Sequence, residues 1–397
     1  MKKFLFICLA AILFGSGLSF PTQSQAASVN VVSESKEIYS QYFQSGKHID
    51  ATKLGGAHNG VGSKGSDSPG FFRAAQDAIF LVSLRGRLAQ LGDPLAPTVN
   101  SDAIAALDHI KARMELSKTR DSRGWYLGAT ESPDTGMLLM AFSKAYAFLD
   151  LSATKKSEYK AIMNDLLKAL ENARNTHKVG NSDFFTNPDM SSCGPVLRSN
   201  SSNNIFAVAA AGLGSYALHV GGKDNPYRGV MTDFSMYVRD TQLSNGLWLV
   251  GGISRDEKCD MHVGYDTWSV MGLAIAGMGS TGVAQNPQSS FFTSAENGLD
   301  GLIAYKNATN GAMPLRSNGL LGSSMSIVDA TSVPSHALGV SYLGTSKARI
   351  LFDELYPAAK AAIEKTALNN PDEGAPHFHR LIQGLSGALE TDIWKNR

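Results

Sequence analysis

The chemistry-bearing residues of this 397-residue chain crowd into one polar stretch, where Arg255, Asp256, Glu257, Cys259, Asp260, His262, Tyr265 and Asp266 lie within a dozen positions. A histidine titrates near neutral pH, and a carboxylate beside it tunes and orients it, so His262 with Asp260 and Asp266 is a candidate acid–base group. Tyr265, three positions on, can supply a second proton transfer. Arg255 can neutralise a substrate carboxylate. Together these residue types suit elimination from a uronic acid sugar, in which a proton next to a carboxylate leaves and the developing charge is stabilised. The competing reading is that His262 and Tyr265 only pack the loop and hydrogen-bond locally.

Paired carboxylates offer a second chemistry. Glu131 and Asp134 belong to another loop and could face Asp256, Asp260 or Asp266 across an opening. Glycoside hydrolysis needs one protonated and one ionised carboxyl group roughly 5–10 Å apart, a separation that spacing along the chain does not give. Trp125, Tyr126 and Trp248 are candidate stacking platforms for sugar rings, and equally candidate hairpin core. Asn204, Arg198 and Arg255 are candidate substrate contacts. Asp134, Asp266 and Asp329 also stand where helices are expected to begin, each with a nearby threonine or serine. An aspartate there caps a helix, which contributes about 1 kcal/mol without any catalytic role.

These residues sit in loops, and the loops follow a repeated plan. Apolar residues at helical spacing mark residues 71–91, and a further amphipathic helix runs through Met114. A turn at Gly124 and a loop then lead to the apolar helix GMLLMAFSKAYAFLD. Residues 158–173 are amphipathic, a polar loop follows, and Asn203 or Asn204 opens IFAVAAAGLGSYAL. The same order recurs from residue 227, with Asp266 and Thr267 opening the second helix, and again from residue 294, with residues 315–328 as loop and Asp329 or Ser332 opening the helix. Residues 347–365 and 377–389 make a last pair. The turns at Gly246 and Gly311 lie about 65 residues apart, longer than ordinary helical repeats because the loops are long. One helix of each unit is apolar nearly all round and should be buried, and its partner has a polar face and should lie outside. The expected fold is all-α, an α/α toroid of five to six helical hairpins in an inner and an outer layer, with almost no strand. An open α-solenoid is the alternative.

The start of the chain reads as a secretory signal over residues 1–26: Lys2 and Lys3, an apolar run, then Ser24-Gln25-Ala26. An uncleaved anchor is the alternative, although the run is short for a membrane span. Residues 27–68 read as an arm around a short amphipathic piece, and residues 69–397 as the toroid. Lys and Arg number 36 against 35 Asp and Glu, so neither a nucleic-acid surface nor, once the signal is removed, a membrane surface is expected. Cys193 and Cys259 are an even pair in a chain expected to be exported, which favours a disulfide between neighbouring loops over two free thiols or a metal site. No phosphate-binding loop, H-E-x-x-H or G-x-S-x-G motif is present, and no cofactor or metal is expected. His377 and His379 alternate late in the chain and read as surface residues.

The alternation of helices with turn segments such as LSNGLWLVGG and ATNGAMPL resembles the secreted α/α-toroid carbohydrate-active enzymes, polysaccharide lyases and glycoside hydrolases alike. The likeness spans most of residues 71–389 and lies in layout rather than in a diagnostic motif. ATESPDTGMLLMAF also resembles the acidic loop-to-helix segment of family-8 glycoside hydrolases, with different spacing and no second half, so no catalytic role is carried over from it. The resemblance implies an exported enzyme acting on a polysaccharide or oligosaccharide at a rim formed by the loops before the inner helices. The alternative function is a non-catalytic exported binding protein on the same ring.

Overall fold

The computed structural model describes residues 28–44, 71–116, 120–121, 124–125, 133–178, 189–191, 194–196, 203–250, 260–284, 287–318, 326–367 and 371–396. The helices alternate between two layers. The inner ones are α2 (Phe71–Gln90), α4 (Pro133–Phe148), α6 (Asn203–Tyr216), α8 (Val263–Thr281), a 3₁₀ helix (Pro334–Leu343) and α11 (Pro371–Lys395). Each packs on the next, and α11 packs back on α2, which closes the ring. The outer ones are α1 (Val31–Ile38, extended by a π turn, Tyr39–Phe43), α3 (Ala96–Leu116), α5 (Ala153–Lys178), α7 (Arg228–Asp240), α9 (Ser290–Ala308) and α10 (Ser346–Ala367). The α/α toroid is thus complete at six hairpins, the upper end of the expected range. Within the stretch read as an arm, α1 and its π turn lie in the outer layer, against α2 and α11.

Sequence explains the layering. Every residue of α8 from Val263 to Gly279 is buried except Tyr265, as expected of a helix apolar on all sides. Its far end is closed by Gly282 at φ +71°, whose N–H returns to the Met278 carbonyl. Inner helices touch backbone to backbone: a Cβ on Gly272 would run into the Ala207 carbonyl, and one on Gly212 into that of Gly136. By length and composition alone, Asn203–Gly221 could cross a membrane. It is instead the core segment between α4 and α8, where an apolar surface is buried by protein.

Connections from an inner helix to the next outer one are short, as at residues 91–95 and 344–345. Those from outer to inner helices are long, with one exception before α11, so they gather on the face where inner helices begin.

That face holds strand structure that the helical reading missed. β1 (Arg120–Asp121) pairs with β2 (Gly124–Trp125), and β3 (Asp189–Ser191) with β4 (Gly194–Val196). β5 (Asp260–His262), β6 (Pro314–Asn318) and β7 (Ser326–Ser332) form an antiparallel sheet in that order. Most of these strands are too short to show alternation. β7 corrects one expectation: Asp329 and Ser332 lie in a strand, and the following helix starts at Pro334, where the missing N–H costs nothing. α3 starts at Ala96, so Pro97 falls in its first turn, where proline is tolerated.

Candidate functional site

His262 ends β5 and caps α8. Its Nδ1 accepts the Tyr265 N–H at 3.3 Å, and the two rings stack 4.0 Å apart. The helix therefore begins at Val263, not at Asp266 and Thr267. Because Nδ1 accepts the capping bond, the neutral imidazole carries its proton on Nε2. Asp260, two residues earlier, is 3% exposed and ion-paired with Arg316 of β6. In the sheet His262 stands opposite Arg316, so the ion pair fixes the strand that delivers the imidazole.

Three side chains converge above Gly264. A Cβ placed there would lie 2.9 Å from His336 Cδ2, 3.1 Å from His262 Cε1 and 3.4 Å from Arg380 Nη2. The rings of His262 and His336 are 6.4 Å apart. His336 is the third residue of the 3₁₀ helix, and Arg380 comes from the first half of α11. The Arg380 guanidinium lies 3.9 Å from the centre of the Trp268 ring and donates to Gln383 Oε1 at 3.3 Å. Trp268 Nε1 and Gln76 Nε2 donate to the same Gln383 oxygen, and Phe72 packs on Trp268. Burial, and then the charge of Arg73, pull Arg380 down to about 9, which leaves it a cation at neutral pH.

Behind this cluster lies a second one. Arg73 of α2 donates to His379 Nδ1 at 3.3 Å, and His379 Nε2 faces Asp77 at 3.2 Å. His379 is 1% exposed, which corrects its reading as a surface histidine: α11 turns this side of its HFHR segment inward, onto α2. Burial lowers the Arg73 pKa, and Asp77 opposes the shift.

The other sequence candidates separate. Asp266 is 1% exposed in the first turn of α8; its carboxylate accepts the Trp248 N–H at 3.0 Å among Leu247, Met261, Leu302 and Tyr305, toward the outer layer. Burial pushes Asp266 well above the ordinary carboxylate range, against the Trp248 hydrogen bond. Trp248 is itself 1% exposed, its indole donating to the Val238 carbonyl, so it is hairpin core rather than an open platform. Asp134 lies in the first turn of α4, and Asn204 is buried in the first turn of α6. Glu131, Tyr126, Arg198, Arg255, Cys193, Cys259 and the side chain of Trp125 lie outside the described residues. The structure thus brings His262 and Tyr265 together with His336 and Arg380, and sets Arg73 and His379 behind them. Reading for loops alone overlooked His336, Arg380 and Arg73, and took His379 for a surface residue. The signal that reaches two of the missed residues is a polar residue at or near the start of an inner helix: Arg73 and His336 both occupy such positions, as His262 does.

No protein-family model matches the sequence, and no curated protein sequence matches it. The fold does match solved structures. The cellobiose 2-epimerase from Spirochaeta thermophila superposes with a TM-score of 0.54 at 12% identity, over 91% of this chain and 97% of that one. The cellobiose 2-epimerase from Bacillus thermoamylovorans gives 0.50 at 10% identity, over 83% and 87%. A sugar epimerase from a ruminal bacterium gives 0.49 at 14% identity, over 83% and 86%. The resemblance in layout to α/α-toroid carbohydrate-active enzymes is therefore present in three dimensions, and identities this low speak for the fold.

Proposed function

We propose that this chain is a sugar-active enzyme that moves a proton at a carbon of its substrate. The observation that carries the reading is the convergence of His262, His336 and Arg380 above Gly264. Two imidazoles at one point offer an acid and a base, and a guanidinium beside them stabilises the negative charge that proton removal creates. His262, with its proton on Nε2, serves as donor, and His336 serves as acceptor. Elimination from a uronic acid sugar and epimerisation next to a carbonyl share this first step. They differ in whether a leaving group departs or the proton returns. The carboxylate pair needed for hydrolysis has less support among the described residues, since Asp260 is tied to Arg316 and Asp266 faces the outer layer. The leader pattern over residues 1–26 supports export, and with it an oligosaccharide or polysaccharide met outside the cytoplasm.

The deciding experiment incubates the mature protein with neutral and acidic oligosaccharides in D₂O. Nuclear magnetic resonance follows deuterium entering at carbon, and absorbance follows unsaturated products. Deuterium entering at carbon (epimerisation) or an unsaturated product without deuterium (elimination), either one abolished by His262→Gln, is the expected result. New reducing ends without deuterium and without absorbance would replace this reading with hydrolysis, and would move attention to Glu131 and Asp134. Saturable sugar binding with no turnover would make the ring a binding protein.

A further inference from the structure

Arg380 is a largely buried cation whose balancing charge does not come from the described residues. Its guanidinium meets the Trp268 face and the Gln383 amide, and no carboxylate among the described residues pairs with it. The described acids around it are committed elsewhere. Asp77 faces His379 and acts on Arg73, and Asp260 pairs with Arg316. Asp266 is buried on the far side of α8 and favours its neutral form. Arg73 adds a second guanidinium close enough to repel the first. Among the described residues the cluster thus sets two guanidiniums against one carboxylate. A buried charge is retained where something pairs with it, and a planar guanidinium matches a carboxylate or phosphate through two parallel hydrogen bonds. The position fits as well, because the Nη2 edge of Arg380 shares the point above Gly264 with both histidines. An anionic group bound there lies beside the atoms whose proton moves.

We propose that the substrate is an anionic sugar whose carboxylate or phosphate docks on Arg380, with Arg73 reinforcing the field. The inference rests on the reading of the mouth as a sugar site, and it adds the substrate's charge. A carboxylate next to the reacting carbon acidifies its C–H bond, and Arg380 neutralises the charge that accumulates when the proton leaves.

Calorimetric titration of the mature protein at low ionic strength, with digalacturonate, glucose 6-phosphate and cellobiose, tests this. The expected result is that one anionic sugar binds at least tenfold more tightly than cellobiose. The advantage should shrink as salt is raised, vanish in Arg380→Gln and survive in part in Arg380→Lys. Preference for digalacturonate identifies a uronate and preference for glucose 6-phosphate a phosphate ester. Cellobiose binding as tightly as either anion overturns the proposal and leaves the sugar reading standing. Should no sugar bind, that reading falls, and titration with acetate and inorganic phosphate decides the anion site: binding that Arg380→Gln removes supports it, and none overturns it. Should Arg380→Gln fail to fold by circular dichroism, the salt dependence of the wild-type protein decides, and a salt-independent preference overturns the proposal.

Discussion

His262 closes a helix through Nδ1 and, in the proposed reaction, donates a proton from Nε2, and the two duties can be separated. Asparagine is a good helix cap and a poor acid, so His262→Asn should hold stability within about 1 kcal/mol while turnover falls by roughly 10²–10⁴. His262→Ala should lose both, with the urea midpoint reporting the cap and the rate reporting the acid. Gly264 is the space in which the cluster meets. Gly264→Ala should cost about 1–3 kcal/mol and at least a tenfold drop in turnover, because the new methyl displaces the two imidazoles. Equal activity of Gly264→Ala and wild type would show that the convergence above Gly264 is not the working geometry. Asp266 behaves differently, since its folded pKa is raised by burial. Stability from such a group is full below its unfolded value near 3.8 and declines as pH rises toward the folded value. Asp266→Asn should match wild type near pH 4 and be the more stable protein at pH 7 in urea titrations, whereas an ionised catalytic Asp266 would leave the mutant inactive with no such gain.

The small sheet of β5, β6 and β7 is the device that places His262, and it was illegible in the sequence. β5 is three residues long, and β6 carries a register shift at Arg316, so neither alternates cleanly between apolar and polar residues. The helices were legible because their patterns run through many turns: apolar residues recur at helical spacing in α2, and α8 is apolar on all sides. His262 and Tyr265 stood out because they lie beside carboxylates in a polar stretch. His336 and His379 sit in segments that look like ordinary helix, and only ring closure brings His336 beside His262 and His379 between Arg73 and Asp77. The sheet can be tested through its ion pair. Arg316→Leu leaves the buried Asp260 carboxylate without its partner, which should destabilise the protein by about 2–3 kcal/mol. It should also lower turnover, because β5 is released. Asp260→Asn in the same background should restore most of the stability by removing the unpaired charge. If the double variant is no more stable than Arg316→Leu alone, the pair does not anchor the strand.

At the scale of the whole ring, the end opposite the histidines is held by charge rather than by loops. Lys144 of α4 and Glu390 of α11 form a buried ion pair, Tyr342 of the 3₁₀ helix lies 3.5 Å from the lysine nitrogen, and His219 after α6 reaches the carboxylate at 3.4 Å. Four inner segments are thereby joined across the barrel. Nothing in the spacing of Lys144, His219, Tyr342 and Glu390 along the chain announces this, since they meet only when α11 closes on α2. Burial alone would push Glu390 up, but Lys144 and His219 outweigh it and hold the carboxyl at about 2. A depressed carboxyl pKa stabilises the fold above the unfolded value of 4.5, and that contribution is lost as pH falls toward 2. Burial pulls Lys144 below its ordinary value, which works against the ionised pair, so its net contribution is on the order of 1–3 kcal/mol. Glu390→Gln should therefore weaken the protein by a comparable amount at neutral pH, with a urea midpoint that changes little between about pH 5 and pH 3, while the wild-type midpoint falls steeply over the same range. Lys144→Met combined with Glu390→Leu should recover much of the loss, because an apolar pair of similar volume needs no compensation for buried charge. A wild-type midpoint insensitive to acid would mean that the pair is not ionised in the folded ring, and that packing of the inner helices alone holds its base closed.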